Sequence, residues 1–438
     1  MLIMNQNFKT DHGDLRKNGV DSMFRLLILA DDFTGALDSG VQLAKCGAHT
    51  HVTTNLNLSF EPWKEDARNS VVVVDTESRH LEPRRAFEIV CGIARRAAKA
   101  GVPVIYKKTD SALRGNVGAE LEGVLEGSGA RRLVFVPAYP KLNRLTRGGV
   151  QYIDGVPVKE SVFGRDPFEP VTESSVSAII GRQSGVPVVP LAEGASLPQP
   201  TGRMEILLCD VSSDRACAEI AGRLGEMKPV TVLAGCAGFA EYLPRLLHLH
   251  QPLPPLTVTD KGLLVVSGSL NPITAAQLDH ARRRGFDAWR LTSEQMQRGI
   301  PAGAEGDAAV EGITALYGRK KRLLLYGEAP GEGWERSGFE EKSRDVARHM
   351  GELVRRLYLR GVRGVFMVMG GDTLSGVLAS MECTRMRPLC EIEPGVVLSR
   401  AELPEGSMMI VSKSGGMGSK EAFVNAARFI EEHYGASE

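Results

Sequence analysis

The sequence predicts an α/β protein of two domains, each a mainly parallel sheet flanked by helices. Three observations carry this. The 438 residues exceed what one hydrophobic core usually supports. Short continuous apolar runs alternate with helical patterns along most of the chain, the signature of βαβ units. A stretch with three prolines, QPLPPLTVTD at 251–260, breaks that alternation and forbids a helix. The expected domains are therefore residues 24–250 and 261–438, joined by a linker at 251–260. The polar residues 1–23 read as a disordered leader, with Met23 an alternative start.

The elements follow in order. FRLLILA at 24–30 suits a strand buried on both faces, and it ends in Asp31-Asp32-Phe33-Thr34-Gly35. A helix follows, with Leu37, Val41 and Ala44 on one face and Gly47 as its stop. HVTT at 51–54 and SVVVVDT at 70–76 are the next strands, then an Arg- and Ala-rich helix from Pro83 to Ala100. PVIYKKT, ending at Asp110, and RLVFVPA at 132–138 continue the series. Residues 181–202, rich in Gly and Pro, read mostly as loop before the strands EILLCDV at 205–211 and TVLAG at 231–235. Beyond the linker, four strand-like runs recur: GLLVVSGS, RLLLYGEAP, GVFMVMGGDT and SMMIVSKSGG.

Composition narrows the function classes. Lys+Arg and Asp+Glu both total 53, so net charge gives no reason to expect nucleic acid or an anionic membrane as partner. No apolar run reaches the ~18 residues of a membrane span, and the leader lacks a signal-peptide core, so a cytoplasmic location is expected. The seven Cys form no C-x-x-C pair and read as reduced thiols. Neither His49 with His51 nor His248 with His250 has the spacing of a structural zinc site. The sequence does not identify metal ligands.

The second domain ends its strands in glycine-rich turns. Ser267-Gly268-Ser269 precedes Asn271-Pro272, a fair N-cap and N1 pair. Gly370-Gly371-Asp372-Thr373 and Ser414-Gly415-Gly416-Met417-Gly418 lead into further helices. Ligands of open α/β sheets bind beyond the carboxyl ends of strands, where bare backbone N–H groups and helix N-termini attract phosphate. Lys413 adds a full positive charge beside the last turn. Ser267, Ser269, Gly370, Gly371, Asp372, Thr373, Lys413, Gly415 and Gly416 are thus the expected nucleotide contacts. Neither a P-loop nor a G-x-G-x-x-G fingerprint is present.

The first domain places charged and hydroxyl groups at its strand ends. Asp31, Asp32 and Thr34 follow the first strand; Asp75, Glu77, Ser78 and Arg79 follow the third. KKTDSALRGN brings Lys107, Lys108, Thr109, Asp110, Ser111 and Arg114 to the next, and Tyr139, Lys141, Asn143 and Arg144 follow LVFV. Such a set suits a polyhydroxy acid, with Arg and Lys holding the carboxylate and Asp and Ser reading hydroxyls. One domain holding the acceptor and the other ATP is the division a kinase needs. Mg²⁺ would bridge phosphate oxygens, and Asp32 or Asp110 would take the acceptor proton.

At these residues the chain resembles the four-carbon acid sugar kinase family. LADDFTGALDSGVQLA, DTESR, KKTDSALRGN, VPAYP, SGSLNPIT, GGDT and SKSGGMG occur in the family's order from Arg25 onward. The resemblance implies an N-terminal sugar-acid domain and a C-terminal nucleotide domain. It implies substrate contacts from Asp32, Arg79, Lys108, Asp110 and Ser111, and ATP contacts from Ser269, Gly370 to Thr373, Gly415 and Gly416. Segment 146–170 is most similar to the members that phosphorylate the 4-hydroxyl of D-threonate, giving 4-phospho-D-threonate. D-erythronate is the alternative acceptor. A sugar-acid oxidoreductase and a non-catalytic binding protein are the other classes, and the missing dinucleotide fingerprint counts against the first. A homodimer is compatible with the sequence.

Overall fold

The computed structural model describes residues 24–60, 70–166, 169–226, 231–250, 252–253, 255–268, 271–327, 339–383, 385–414 and 416–435. The leader 1–23 and the turn residues Ser269 and Gly415 lie outside the described residues.

Strands of the first half are β1 (Phe24–Ala30), β2 (Thr50–Thr53), β3 (Ser70–Asp75), β4 (Ile105–Lys108), β5 (Arg132–Val136), β6 (Arg144–Arg147), β7 (Val150–Ile153), β8 (Val156–Pro157), β9 (Val188–Leu191), β10 (Glu205–Cys209) and β11 (Val232–Gly235). Those of the second half are β12 (Leu263–Ser267), β13 (Asp287–Leu291), β14 (Arg322–Gly327), β15 (Val365–Met369), β16 (Arg385–Glu393), β17 (Val396–Leu403) and β18 (Gly406–Lys413). They form one 15-stranded sheet in the order β13-β14-β12-β15-β18-β17-β16-β2-β3-β1-β4-β11-β5-β10-β9, plus a three-stranded meander β6-β7-β8. Strands from before residue 250 and after residue 260 occupy opposite halves of the large sheet.

The apolar runs give fully covered strands. Leu26 to Leu29 and Val71 to Val74 are wholly buried, and β1 runs parallel to both β3 and β4. Helix α1 (Phe33–Ala44) starts where Asp32, in extended geometry, accepts from the Gly35 N–H at 3.0 Å. α1 packs on one sheet face, while the Pro83–Lys99 and Val117–Ser128 helices cover the other. In the second half, β12, β14, β15 and β18 are parallel and put their carboxyl ends on one edge.

Four features differ from the sequence reading. The two expected sheets are joined edge to edge, because β16 meets β2 antiparallel at Met386 and Val52. β16 and β17 form an antiparallel ribbon with β18, so this part of the second half is not parallel. The loop 181–202 contains edge strand β9, where Pro190 sits as edge strands allow. β13 had no sequence signal, because only Leu291 of its five residues is buried.

Candidate functional site

The carboxyl ends of β3, β1 and β4 bring the charged motifs together. Arg79 links both acidic residues after β1: Nε donates to Asp31 Oδ2 at 2.8 Å and Nη1 lies 2.9 Å from Asp32 Oδ2. Thr34 Oγ1 donates to Asp32 Oδ2 at 2.9 Å, and Lys108 Nζ lies 3.9 Å from Asp31 Oδ1. Gly35 leaves room for both charged tips, since a Cβ there would sit 2.4 Å from Lys108 Nζ and from Asp32 Oδ1 and force them to shift. Burial works to raise the Asp32 pKa, but Arg79 and Lys108 outweigh it and bring it to about 2.

Asp110 is held differently. Arg114 grips it in a fork, Nε to Oδ2 at 2.8 Å and Nη2 to Oδ1 at 3.1 Å, with the Arg114 N–H adding a third bond at 3.2 Å. Burial again pushes upward, and Arg114 with Arg79 prevails, holding the carboxyl well below the usual range. Arg144, on β6, donates to Ser111 Oγ, and Gln151 of β7 donates to the Ser111 carbonyl at 2.9 Å. The guanidiniums of Arg114 and Arg144 lie over the Phe163 ring at 5.1 and 5.2 Å. The meander thus caps this rim. Thr109 is buried, and its Oγ1 has no hydrogen-bond partner among the described residues.

Lys107 does not join the rim. Side chains alternate along a strand, so Lys107 points to the opposite face from Lys108. There Nζ meets Glu120 Oε2 at 3.2 Å, and both residues are buried.

On the other half, three turns abut. The Gly370 N–H donates to the Lys413 carbonyl at 2.9 Å. A Cβ on Gly268 would meet Thr373 Oγ1 at 2.8 Å. The Gly371–Ser380 helix begins directly after Gly370, whose φ of 91° suits only glycine. Lys413 Nζ donates to the carbonyls of Ser414 and Met417, both at 2.8 Å. Burial, opposed by Glu393, lowers its pKa to about 8. Gln277 and Glu393 pin the same turn: the Gln277 amide reaches the carbonyls of Met417, Gly418 and Ser419, and Glu393 accepts from Ser419 N–H at 2.9 Å. Ser267 is buried at the end of β12, and Asp372 is exposed in the first helical turn, accepting from Ser343 Oγ at 3.1 Å.

The two rims meet. A Cβ on Gly371 would stand 3.8 Å from Thr34 Cγ2, so the N-terminus of the Gly371–Ser380 helix faces that of α1. Further along α1, Gln42 Nε2 lies 3.4 Å from both Glu391 carboxylate oxygens, and Lys45 Nζ lies 3.4 Å from Oε2. Sequence reasoning singled out neither Asp38, Phe163 nor Glu391. Phe163 and Glu391 carry no local motif. Asp38 sits in the DDFTGALDSG motif but reads as an ordinary polar position on a helix.

Charged, hydroxyl-rich strand ends facing a set of glycine turns define a two-part α/β protein with one small-molecule rim and one phosphate-suited rim. Residues 26–243 match the family described as a sugar-binding N-terminal domain, and residues 264–423 a nucleotide-binding C-terminal domain. The chain is 30% identical to a D-threonate kinase of Salmonella typhimurium, covering 94% of this chain and 99% of the relative. It is 31% identical to a D-threonate kinase of Bordetella bronchiseptica, covering 92% and 97%. A crystal structure of a Haemophilus influenzae protein shares the fold with a TM-score of 0.70 at 20% identity, over 92% of this chain and all of that one. The chain belongs to the four-carbon acid sugar kinase family. Among the described residues, no helix is long and apolar enough to cross a membrane.

Proposed function

We propose that this protein transfers the γ-phosphoryl group of ATP to the 4-hydroxyl of D-threonate. The observation that carries the reading is the approach of Gly371 to Thr34, which opens the glycine turns onto the Asp31–Asp32–Arg79–Lys108 cluster. Phosphoryl transfer asks mainly for alignment and charge neutralisation, and this juxtaposition suits both. The rim from Asp32 through Arg79, Lys108, Thr109, Asp110, Ser111 and Arg114 would hold the sugar acid. Ser267, Gly370, Gly371, Asp372, Thr373, Lys413 and Gly416 would hold the nucleotide.

Mg²⁺ would enter on the ATP phosphates. Such an ion keeps several waters and needs only one or two protein carboxylates. Asp372 fits, because its carboxylate is exposed in the first turn of the Gly371–Ser380 helix and accepts from the Ser343 hydroxyl at 3.1 Å. Bound there, the ion would neutralise charge on the phosphate oxygens.

ADP release with Mg-ATP across D-threonate, L-threonate, D-erythronate and their 3-oxo analogue tests the assignment. D-threonate gives the highest kcat/KM; an equal or better rate on D-erythronate overturns the stereochemical choice. A second expectation concerns Gly370. An L side chain at its φ of 91° is strained by roughly 1–2 kcal/mol. Gly370→Ala therefore lowers the unfolding free energy by roughly that amount and leaves the KM for the sugar acid unchanged, as urea unfolding and steady-state kinetics would show.

A further inference from the structure

The Asp32 and Asp110 carboxylates each accept from an arginine fork or a paired guanidinium and hydroxyl, and both are held strongly acidic. A carboxylate so engaged is a weak proton acceptor. Asp75 is enclosed at the end of β3, where Oδ1 accepts from the Glu77 N–H at 3.0 Å, and burial raises its pKa well above the ordinary value. Asp38 is unlike all three. It is only partly buried, and among the described residues no hydrogen bond or ion pair reaches its carboxylate.

Its position is set by the helix. Gly35, Asp38, Gln42 and Lys45 recur at helical spacing and share one stripe of α1. The stripe begins beneath Lys108 Nζ, which lies over Gly35, and ends at Glu391, which Gln42 and Lys45 engage. Glu391 Oε1 also accepts from the Gly395 N–H at 3.3 Å, and Gly395 packs against Met417 of the phosphate-suited turn. Asp38 therefore stands between the sugar-acid rim and the ribbon that backs the nucleotide turn. The charged groups facing it are Lys108 from β4, Asp32 from the start of α1, Glu391 from β16 and Arg144 from β6. Tyr139, after β5, shares this surrounding and is itself pushed upward by burial.

We propose that Asp38 is the general base of the phosphoryl transfer. Its carboxylate takes the proton of the acceptor hydroxyl as that oxygen bonds to the γ-phosphorus. The bond from phosphorus to the bridging oxygen breaks, and its electron pair leaves on ADP. The proton then passes from Asp38 to solvent, to which the side chain remains partly open. This assignment rests on the kinase reading above. Burial, reinforced by Asp32 and Glu391 and opposed by Lys108 and Arg144, raises the Asp38 pKa to about 7, where a group is charged in use and still basic.

Asp38→Asn keeps the shape and removes the basicity. At pH 8 its kcat falls at least about 100-fold, with the KM for ATP and the Tm little changed. Wild-type kcat falls with one proton as pH drops through about 7, and the variant loses that limb. An Asp38→Asn enzyme with near-normal kcat, or with the acidic limb intact, overturns the assignment. So does a wild-type profile with no acidic limb between pH 6 and 8, which needs no variant. A wild-type chain that releases no ADP with any four-carbon acid sinks the kinase reading and this inference together; wild-type turnover with an unaffected Asp38→Asn sinks this inference alone.

Discussion

Arg79→Ala lowers kcat/KM for the sugar acid by about 30- to 5,000-fold and leaves the KM for ATP nearly unchanged. The range corresponds to the roughly 2–5 kcal/mol lost when one partner of a buried, hydrogen-bonded charge pair is truncated. Arg79 is the group that spans Asp31 and Asp32, with its side chain only 10% exposed. Without it, two adjacent carboxylates are left beside Lys108, whose ammonium stands 3.9 Å from Asp31. Arg79→Lys recovers only part of the rate, because a single ammonium cannot reproduce two contacts made from different nitrogens. A stability change accompanies the kinetic one. The Asp32 pKa is depressed from 3.8 to about 2, so its pairing stabilises the fold fully above about pH 4 and is lost as pH falls through about 2. Acid unfolding of Arg79→Ala therefore begins at higher pH than that of the wild type. Wild-type kinetics in Arg79→Ala would show that the two carboxylates need no such partner.

The strand ends were legible because buried parallel strands are continuous apolar runs, and whatever follows such a run lies on the binding edge. DDFTG after β1, KKTDS at the end of β4 and GGDT after β15 could all be placed this way. What stayed hidden is long-range. Glu391 is 349 residues from Gln42 in sequence, and nothing near either residue announces the contact. The join between β2 and β16 rests on one paired position, in a ribbon whose register shifts between Pro388 and Cys390 and again between Glu391 and Glu393. Lys107 and Lys108 show the opposite kind of miss. Strand alternation alone separates them, yet the motif set both among the charged groups of one strand end. The sequence offered Asp32 and Asp110 as proton acceptors on residue type. Only the arginine geometry around each shows how firmly both are held ionised.

Lys107→Met destabilises the fold by about 3–5 kcal/mol, the usual cost of stripping one partner from a buried ion pair. Lys107 is wholly buried, and Nζ also donates to the carbonyls of Lys108 at 2.8 Å and Leu29 at 3.3 Å. Glu120 is equally enclosed and accepts from Ser78 Oγ as well. Burial raises the Glu120 pKa even with Lys107 opposing it, so removing Lys107 leaves a carboxylate that is costly to ionise. The sign follows from linkage. A carboxyl raised in the folded state binds more protons there than when unfolded, so stability falls as pH rises above the ordinary glutamate value of 4.5. Urea unfolding should therefore show a larger loss for Lys107→Met at pH 8 than at pH 5. Lys107→Met combined with Glu120→Leu recovers most of the lost stability, since an apolar pair of similar volume can replace a buried ion pair. Equal losses in the single and double variants would mean that the Lys107 bonds to the two carbonyls, rather than the pairing with Glu120, carry the effect. The same network lies directly beneath the ends of β1 and β4. Its loss should raise the KM for the sugar acid before it lowers turnover, because it displaces Lys108 and Asp31 without removing either.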